Sequence, residues 1–231
     1  MSDLLPIFPL PNVVLFPNVF LPLHIFEQRY REMTADALAG DRLIGMVLLR
    51  PGYERDYEGR PPVYPVGCRG VMTHAERLQD GRYNIVLRGL DRFRIVSENG
   101  ELSYRRAAIE VLHERPPAAD ERLTIRERRS KIETMLSSIL ERGGDDARGE
   151  PSGARGEPSG PRGEPSGARG FSRAMPDEDL IHALSQYLDL EPLEKQALLE
   201  QPCLLSRAQS LAELLEMKLM APRGPASHFA H

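Results

Sequence analysis

Leu21-Pro22-Leu23-His24-Ile25-Phe26-Glu27-Gln28-Arg29-Tyr30 is the stretch on which the reading of this 231-residue chain turns. It joins a proline-broken apolar region to an amphipathic one. Upstream, prolines at 6, 9, 11, 17 and 22 interrupt runs such as Val13-Val14-Leu15-Phe16. Proline cannot donate to a ladder, so short, edge or bulged strands are expected there. Downstream, Phe26, Tyr30, Met33 and Ala37 fall at i, i+4, i+7 and i+11. That spacing predicts a helix of about three turns with all four side chains on its core face, and Gly40 is placed for a left-handed C-terminal cap.

Working outward, Leu43-Ile44-Gly45-Met46-Val47-Leu48-Leu49 is an almost unbroken apolar run and predicts a central strand buried on both faces. Residues 51–65 read as a loop, rich in proline and glycine and carrying Tyr53, Tyr57 and Tyr64. Residues 66–78 predict one strand and residues 83–87 another, with Asp80-Gly81 supplying hairpin turn chemistry. Gly89 permits a bend into Arg92-Phe93-Arg94-Ile95-Val96, and a last strand over 104–112 ends before Pro116-Pro117. Arg88, Arg92, Arg94, Arg105 and Arg106 read as an ordinary solvated face with cross-strand ion pairs.

Beyond the prolines the period changes from two to 3.6. Ile125, Ile132, Met135, Leu136 and Ile139 form one stripe over 120–142, stopped by Gly143-Gly144. Helices follow over 177–188, 193–201 and 204–220, the first and last striped by Leu180, Ile181, Leu184, Leu188 and by Leu211, Leu214, Leu215, Leu219. Stripes of this kind need one another, and a small helical bundle is expected. Between them, residues 148–170 repeat Arg-Gly-Glu-Pro-Ser-Gly-(Ala/Pro) every seven residues. With two glycines, a proline and no large apolar side chain per unit, the repeat predicts a disordered insert.

The order Leu15-Phe16-Pro17, then Leu21-Pro22-Leu23-His24-Ile25-Phe26-Glu27-x-Arg29-Tyr30-Arg31-x-Met33, resembles the opening of the Lon protease N-terminal, substrate-binding domain. Gln28 departs from it, standing where that family often carries proline. Val66-Gly67, Asp80-Gly81-Arg82, Gly89-Leu90-x-Arg92-Phe93-Arg94-Ile95 and Glu194-Lys195-Gln196-Ala197-Leu198-Leu199-Glu200 continue the resemblance in the same order. It covers about residues 4–142 and 176–221. The resemblance implies an α+β chain, a β-rich PUA-like pseudobarrel with one packed helix followed by a helical bundle. Together with the composition of the repeat it divides the chain into the β-rich half over 1–118, a first bundle helix over 119–147, the insert at 148–170, the remaining helices over 171–221 and a flexible tail over 222–231. It implies a stand-alone, non-enzymatic module that recognises unfolded or extended polypeptide, or a partner protein, linked to quality control or regulated proteolysis. Tyr53 and Tyr57 are the candidate contact residues. Phe16, Pro17, Leu23, Phe26, Glu27, Arg29, Tyr30, Gly67, Gly81, Gly89, Arg92 and Phe93 are the structural signature. Because PUA-type barrels also serve RNA, an RNA-binding module is the second reading.

Other chemistry finds no foothold in the residues. Gly-Glu-Pro-Ser-Gly-Ala looks like the serine motif of Lon peptidase domains, yet Ser152, Ser159 and Ser166 lie in the repeat and no lysine occurs between Lys131 and Lys195 to activate them. None of the three lysines follows glycine as a phosphate-binding loop requires. The histidines and Cys68 and Cys203 show no metal-ligand spacing, so neither cofactor nor metal is expected. His24 reads as a structural hydrogen-bonding residue. With 30 basic against 34 acidic residues, no polycationic nucleic-acid surface is indicated. No apolar run is long enough to span a bilayer and no secretory leader is evident, so a cytoplasmic protein is expected.

Overall fold

The computed structural model describes residues 4–57, 59–145 and 175–220. The expected repeat insert and the tail lie outside the described residues. Strand β1 (Leu5–Leu10) is followed by β2 (Phe20–Ile25), α1 (Gln28–Ala39), β3 (Leu43–Leu48), β4 (Val66–Arg77), β5 (Tyr83–Asn99) and β6 (Arg105–Leu112). The helices α2 (Ala119–Asp145), α3 (Asp177–Tyr187), α4 (Pro192–Glu200) and α5 (Leu204–Met220) complete the chain. The fold is mixed α+β with a six-stranded sheet ordered β2-β5-β4-β3-β1-β6.

Because β6 also pairs with β5, the strands β5, β4, β3, β1 and β6 close on themselves and β2 hangs outside the ring. The 17-residue β5 makes this possible: residues 83–88 pair with β2, and residues 92–99 pair with β6. Inside the ring Leu5, Ile7, Val47, Phe93 and Ala107 form a small apolar cluster. Gly67 is required there, since a Cβ would lie 2.4 Å from the Met46 carbonyl oxygen and 2.8 Å from the Phe93 ring. Gly89 meets a similar constraint at the junction of β5's two halves. A Cβ would fall 2.0 Å from the Phe16 carbonyl oxygen, and Gly89 exchanges hydrogen bonds of 2.9 Å with Asn18 and Val19. It therefore serves close approach of the 16–19 segment, where a bend was expected.

The prolines find places consistent with their missing N–H. β1 is flanked by two strands, yet it pairs with β6 over Leu5–Ile7 and with β3 over Ile7–Leu10. Only Ile7 has neighbours on both sides, so Pro6 and Pro9 each keep one side free. Val13-Val14-Leu15-Phe16, expected as strand, is loop. Val14, Leu15 and Phe16 nevertheless plug the core. The Asp80-Gly81 hairpin forms as expected, with Gly81 at φ 81°.

Helix α1 corrects two expectations. Its N-cap is Glu27, whose ψ of 137° is extended, so Phe26 precedes the helix and is out of phase with Tyr30, Met33 and Ala37. Phe26 is 61% exposed while those three are buried. At the other end Gly40 has φ −109°, and the left-handed residue is Arg42 at φ 63°. The Arg42 N–H donates to the Ala37 carbonyl and closes the helix.

Helix α3 opens with Asp177, Glu178 and Asp179, which complement the positive end of its dipole. Helix α4 has a capping box between Glu191 and Glu194 with Pro192 in its first turn. Helix α2 runs to Asp145, through the glycine pair expected to stop it. Ile125 and Ile132 of α2 are buried; the side chain of Ile139 lies outside the described residues. Leu180, Ile181, Leu184, Leu198, Leu199, Leu211 and Leu215 belong to the same core as Phe16, Met33, Met72 and Leu87 of the β-rich half. The helices thus share one core with the outer face of the sheet.

Candidate functional site

Among the described residues strand β2 pairs with β5 alone, so in a sheet otherwise closed into a ring its second edge is open there. Open edges present unpaired backbone groups that can template an additional strand. Phe20, Pro22 and His24 alternate onto one exposed face, as the two-residue strand period requires, while Leu21, Leu23 and Ile25 turn inward. Phe20 is 50% exposed, and Phe26 continues the line beyond the strand end, its ring 6.4 Å from that of His24. Residues 20 to 26 extend this stripe over about 20 Å. His24 is fixed by Asn84 Oδ1 at 2.8 Å from Nδ1 and by Arg82 Nη1 at 3.2 Å from Nε2. At the Phe20 end, the exposed Tyr187 of α3 donates its hydroxyl to the Phe20 carbonyl at 2.9 Å.

The aromatic loop meets the other end of the stripe. Tyr57 donates to Glu27 Oε1 at 2.8 Å, next to Phe26 in the chain, and the Tyr53 ring packs edge-on 6.2 Å from Tyr57. Arg29 is held by Glu27 at 2.9 Å and by the Tyr57 carbonyl at 3.3 Å, with its guanidinium 4.7 Å from the Tyr30 ring centre and 5.1 Å from that of Tyr57. The signature residues Glu27, Arg29 and Tyr30 therefore fasten the loop to α1. Burial first, and then the bond to Glu27, hold the Tyr57 phenol above its ordinary range. Behind this loop lies a polar cavity of about 130 Å³, lined among others by Arg29, Tyr30, Tyr57, Arg60, Ser103 and Arg105.

The expected arginine face is divided: Arg88 reaches Asn18 Oδ1 at 3.5 Å, and the other four fall into two pairs. Arg94 and Arg106 pair with Glu110 and Glu101 at 3.7 and 3.4 Å, as a solvated face would. Arg92 and Arg105 instead are 4% and 8% exposed. Arg92 donates to the carbonyls of Leu199, Gln201 and Pro202 at 3.0, 2.5 and 3.3 Å, satisfying the orphan end of α4. Arg207, wholly buried, lies beside it and reaches Glu114 at 3.1 Å, His182 Nε2 at 2.8 Å and the Leu198 carbonyl at 3.1 Å. These two arginines lock the helices to β5 and to the chain after β6. Phe16 and Pro17 form the opposing wall. The Phe16 N–H donates to Gln186 Oε1 at 3.2 Å, and His182 Nδ1 faces the Pro17 carbonyl too loosely for a standard hydrogen bond.

Glu114, Glu178 and His182 bring possible metal-ligand atoms within 4.8 Å of one another. The Arg207 guanidinium already bonds Glu114 and His182, so it holds the place a cation would take. Burial, then the charges of Arg207 and Arg92, press the His182 pKa down to about 3. This is a neutral structural imidazole. Among the described residues no helix is long and apolar enough to cross a membrane.

Sequence reasoning missed the exposure of Phe20 and Phe26 and the part played by Tyr187. The signal for Phe20 was present: Phe20, Pro22 and His24 occupy alternate positions, but Leu21, Leu23 and Ile25 are apolar too, so alternation did not say which face was outside. Arg207 follows the resembling segment 194–200 into a leucine-rich helix, but nothing in the residues around it marks it as buried.

Comparisons with known proteins place these features in a family. The model of the ATP-dependent protease La (LON) substrate-binding domain matches residues 4–217. The Lon protease of Cytophaga hutchinsonii is 24% identical over 214 residues, 93% of this chain and 24% of that protein. Lon protease 2 of Myxococcus xanthus is 32% identical over 113 residues, 49% of this chain and 14% of its own length. The chain thus spans a quarter or less of these relatives. Among solved structures, the N-terminal domain of Mycobacterium avium complex Lon protease superposes with a TM-score of 0.61 at 14% identity, covering 93% of this chain and 98% of that one. A Lon N-terminal domain protein from Xanthomonas campestris gives 0.55 at 18% identity, covering 95% and 99%. With the family model matched across the β-rich half and all four C-terminal helices up to residue 217, this chain belongs to the Lon substrate-binding domain family.

Proposed function

We propose that this chain is a non-enzymatic module that recognises extended polypeptide along the open edge of β2. The observation that carries the reading is the β2 edge, unpaired among the described residues in a sheet otherwise closed into a ring, with exposed Phe20 on the strand and exposed Phe26 just beyond its end. An extended segment laid there gains backbone hydrogen bonds, and the aromatic stripe supplies apolar contact for alternate side chains. Pro22 removes one N–H and Tyr187 occupies the Phe20 carbonyl, so the edge offers few bonds. That suits weak, reversible capture in the micromolar range or above. Tyr53 and Tyr57, fastened beside Phe26, extend the surface at the loop end. A role in quality control or regulated proteolysis in the cytoplasm, with a PUA-type pseudobarrel carrying a helical bundle, is the setting this reading implies.

The RNA alternative is less well supported, because Arg92 and Arg105 are buried and Arg94 and Arg106 face carboxylates. Fluorescence titration of a labelled, permanently unfolded polypeptide and a labelled RNA against the purified protein tests the choice. Polypeptide binding weakened several-fold by Phe20→Ser and Phe26→Ser supports it; salt-sensitive RNA binding without polypeptide binding refutes it.

A further inference from the structure

We propose that the polar cavity behind the aromatic loop is a carboxylate-binding subsite, which anchors an acidic side chain or the C-terminal carboxylate of a bound polypeptide. This deepens the reading above and rests on it for the identity of the ligand. The cavity is lined by three guanidinium groups, Arg29, Arg60 and Arg105, by Tyr30, Tyr57, Tyr104 and Ser103, and by no described carboxylate.

Its donors are of two kinds. Some are committed: Tyr57 to Glu27 Oε1, Tyr104 to Asp36 Oδ2 at 2.7 Å, and Ser103 to Glu32. Arg29 is neutralised by Glu27, and Arg105 by Glu98 at 2.6 Å. Others are not committed. Tyr30 is 4% exposed, yet its hydroxyl bonds to no described residue although it lines this cavity. The ring is buried while the hydroxyl is not among the buried polar atoms lacking a partner, so it opens onto the cavity with its donor free for a ligand. Arg105 uses Nε for Glu98, one Nη1 hydrogen for the Pro61 carbonyl and one Nη2 hydrogen for Glu98, leaving a donor on each terminal nitrogen. Arg60 donates to the Gly100 carbonyl at 2.6 Å and has no described carboxylate within ion-pair distance. Among the described residues it is the cavity's charge without an ionic partner, lying close over Gly100, where a Cβ would be 1.9 Å from its Nη1.

A planar carboxylate matches this set. The guanidinium fork pairs with two oxygens at once, and the Tyr30 hydroxyl can complete one of them. Burial holds the Tyr30 phenol well above its ordinary range, so it stays a donor at neutral pH. Arg29, which lines the cavity, lies three residues beyond Phe26, at most about 11 Å along the chain, so the cavity wall and the end of the β2 stripe are neighbours.

Two-dimensional NMR titration of the whole chain tests this with three short peptides and inorganic phosphate. One peptide has a free C-terminus, one is amidated and uncharged, and one is amidated with a single internal aspartate. Saturable shifts confined to residues around Tyr30, Tyr57 and Arg60, seen with either carboxylate peptide and not with the uncharged one, are expected; which of the two binds identifies the source. Arg60→Gln and Tyr30→Phe should each weaken that binding about tenfold. Tyr30→Phe keeps the ring and removes only the unbonded hydroxyl, so its thermal stability should match or exceed wild type, which separates binding from folding. Equal binding of the uncharged peptide, binding of phosphate alone, or no saturation by roughly 10 mM overturns the proposal. If the carboxylate probes fail while the long unfolded polypeptide still binds and responds to Phe20→Ser, the subsite is refuted and the β2 reading stands.

Discussion

Acidification should loosen the attachment of the helices to the sheet, through one residue. His182 is enclosed by Arg207, Arg92, Glu114 and Glu178, and in the folded protein its pKa is about 3 against an ordinary 6.5. A histidine whose folded pKa is depressed binds its proton more readily when unfolded. Its contribution is therefore present above 6.5 and lost as pH falls from 6.5 towards 3. Each pH unit inside that window costs about 1.4 kcal/mol, so between pH 7.5 and 5 the loss is about 2 kcal/mol. That is a substantial share of a typical domain's stability. Glu178 works the other way, because burial, then Glu114 and Asp179, raise its pKa, and it gains relative stability as pH falls. The histidine is isolated by difference. Urea unfolding followed by circular dichroism at pH 7.5, 6 and 5 should show wild type falling more steeply than His182→Gln, so the gap between them closes by about 2 kcal/mol at pH 5. A gap that stays constant within about 0.5 kcal/mol would mean that His182 already titrates normally in the fold, contradicting the enclosed arrangement.

Three further outcomes are expected. Phe26→Ala and Phe20→Ala should each change stability by less than about 1 kcal/mol, being exposed, whereas Tyr30→Ala should cost roughly 3 to 5 kcal/mol, as denaturant midpoints will show. Gly89→Ala should cost about 2 kcal/mol or more, because the Cβ meets the Phe16 backbone and no flexible side chain can yield, whereas Gly52→Ala, with nothing within 4 Å, should cost less in the same assay. Arg207→Met should destabilise by about 3 kcal/mol, since it leaves buried His182 without its main partner and half-buried Glu114 with Arg92 alone; hydrogen exchange should then show α4 and α5 opening first.

Much of the fold was legible because period and punctuation agreed. The apolar run at 43–49 is β3, the Asp80-Gly81 turn joins β4 to β5, and the leucine stripes mark α3 and α5. The failures have local physical causes. Phe26 fits a helical face by spacing, but spacing does not reveal where the backbone turns helical, and the extended Glu27 puts Phe26 outside. Arg92 and Arg105 look like surface charges because their partners are carbonyls or distant carboxylates, of Leu199, Gln201, Pro202, Glu114, Pro61 and Glu98, which only the tertiary fold assembles. Of the candidate site, Tyr53 and Tyr57 could be picked out as loop aromatics, while the attachment of Tyr57 to Glu27 could not. The open edge of β2 is a property of strand order, which no single segment encodes.

The central claim is that extended polypeptide binds the β2 edge, and titrating a labelled unfolded protein at roughly 50 and 200 mM salt tests it most directly. With wild type beside Phe20→Ser and Phe26→Ser, we expect micromolar or weaker affinity that changes little with salt and falls several-fold in both variants while their unfolding midpoints stay put. Unchanged affinity in both variants, or binding that collapses between the two salts, would contradict it.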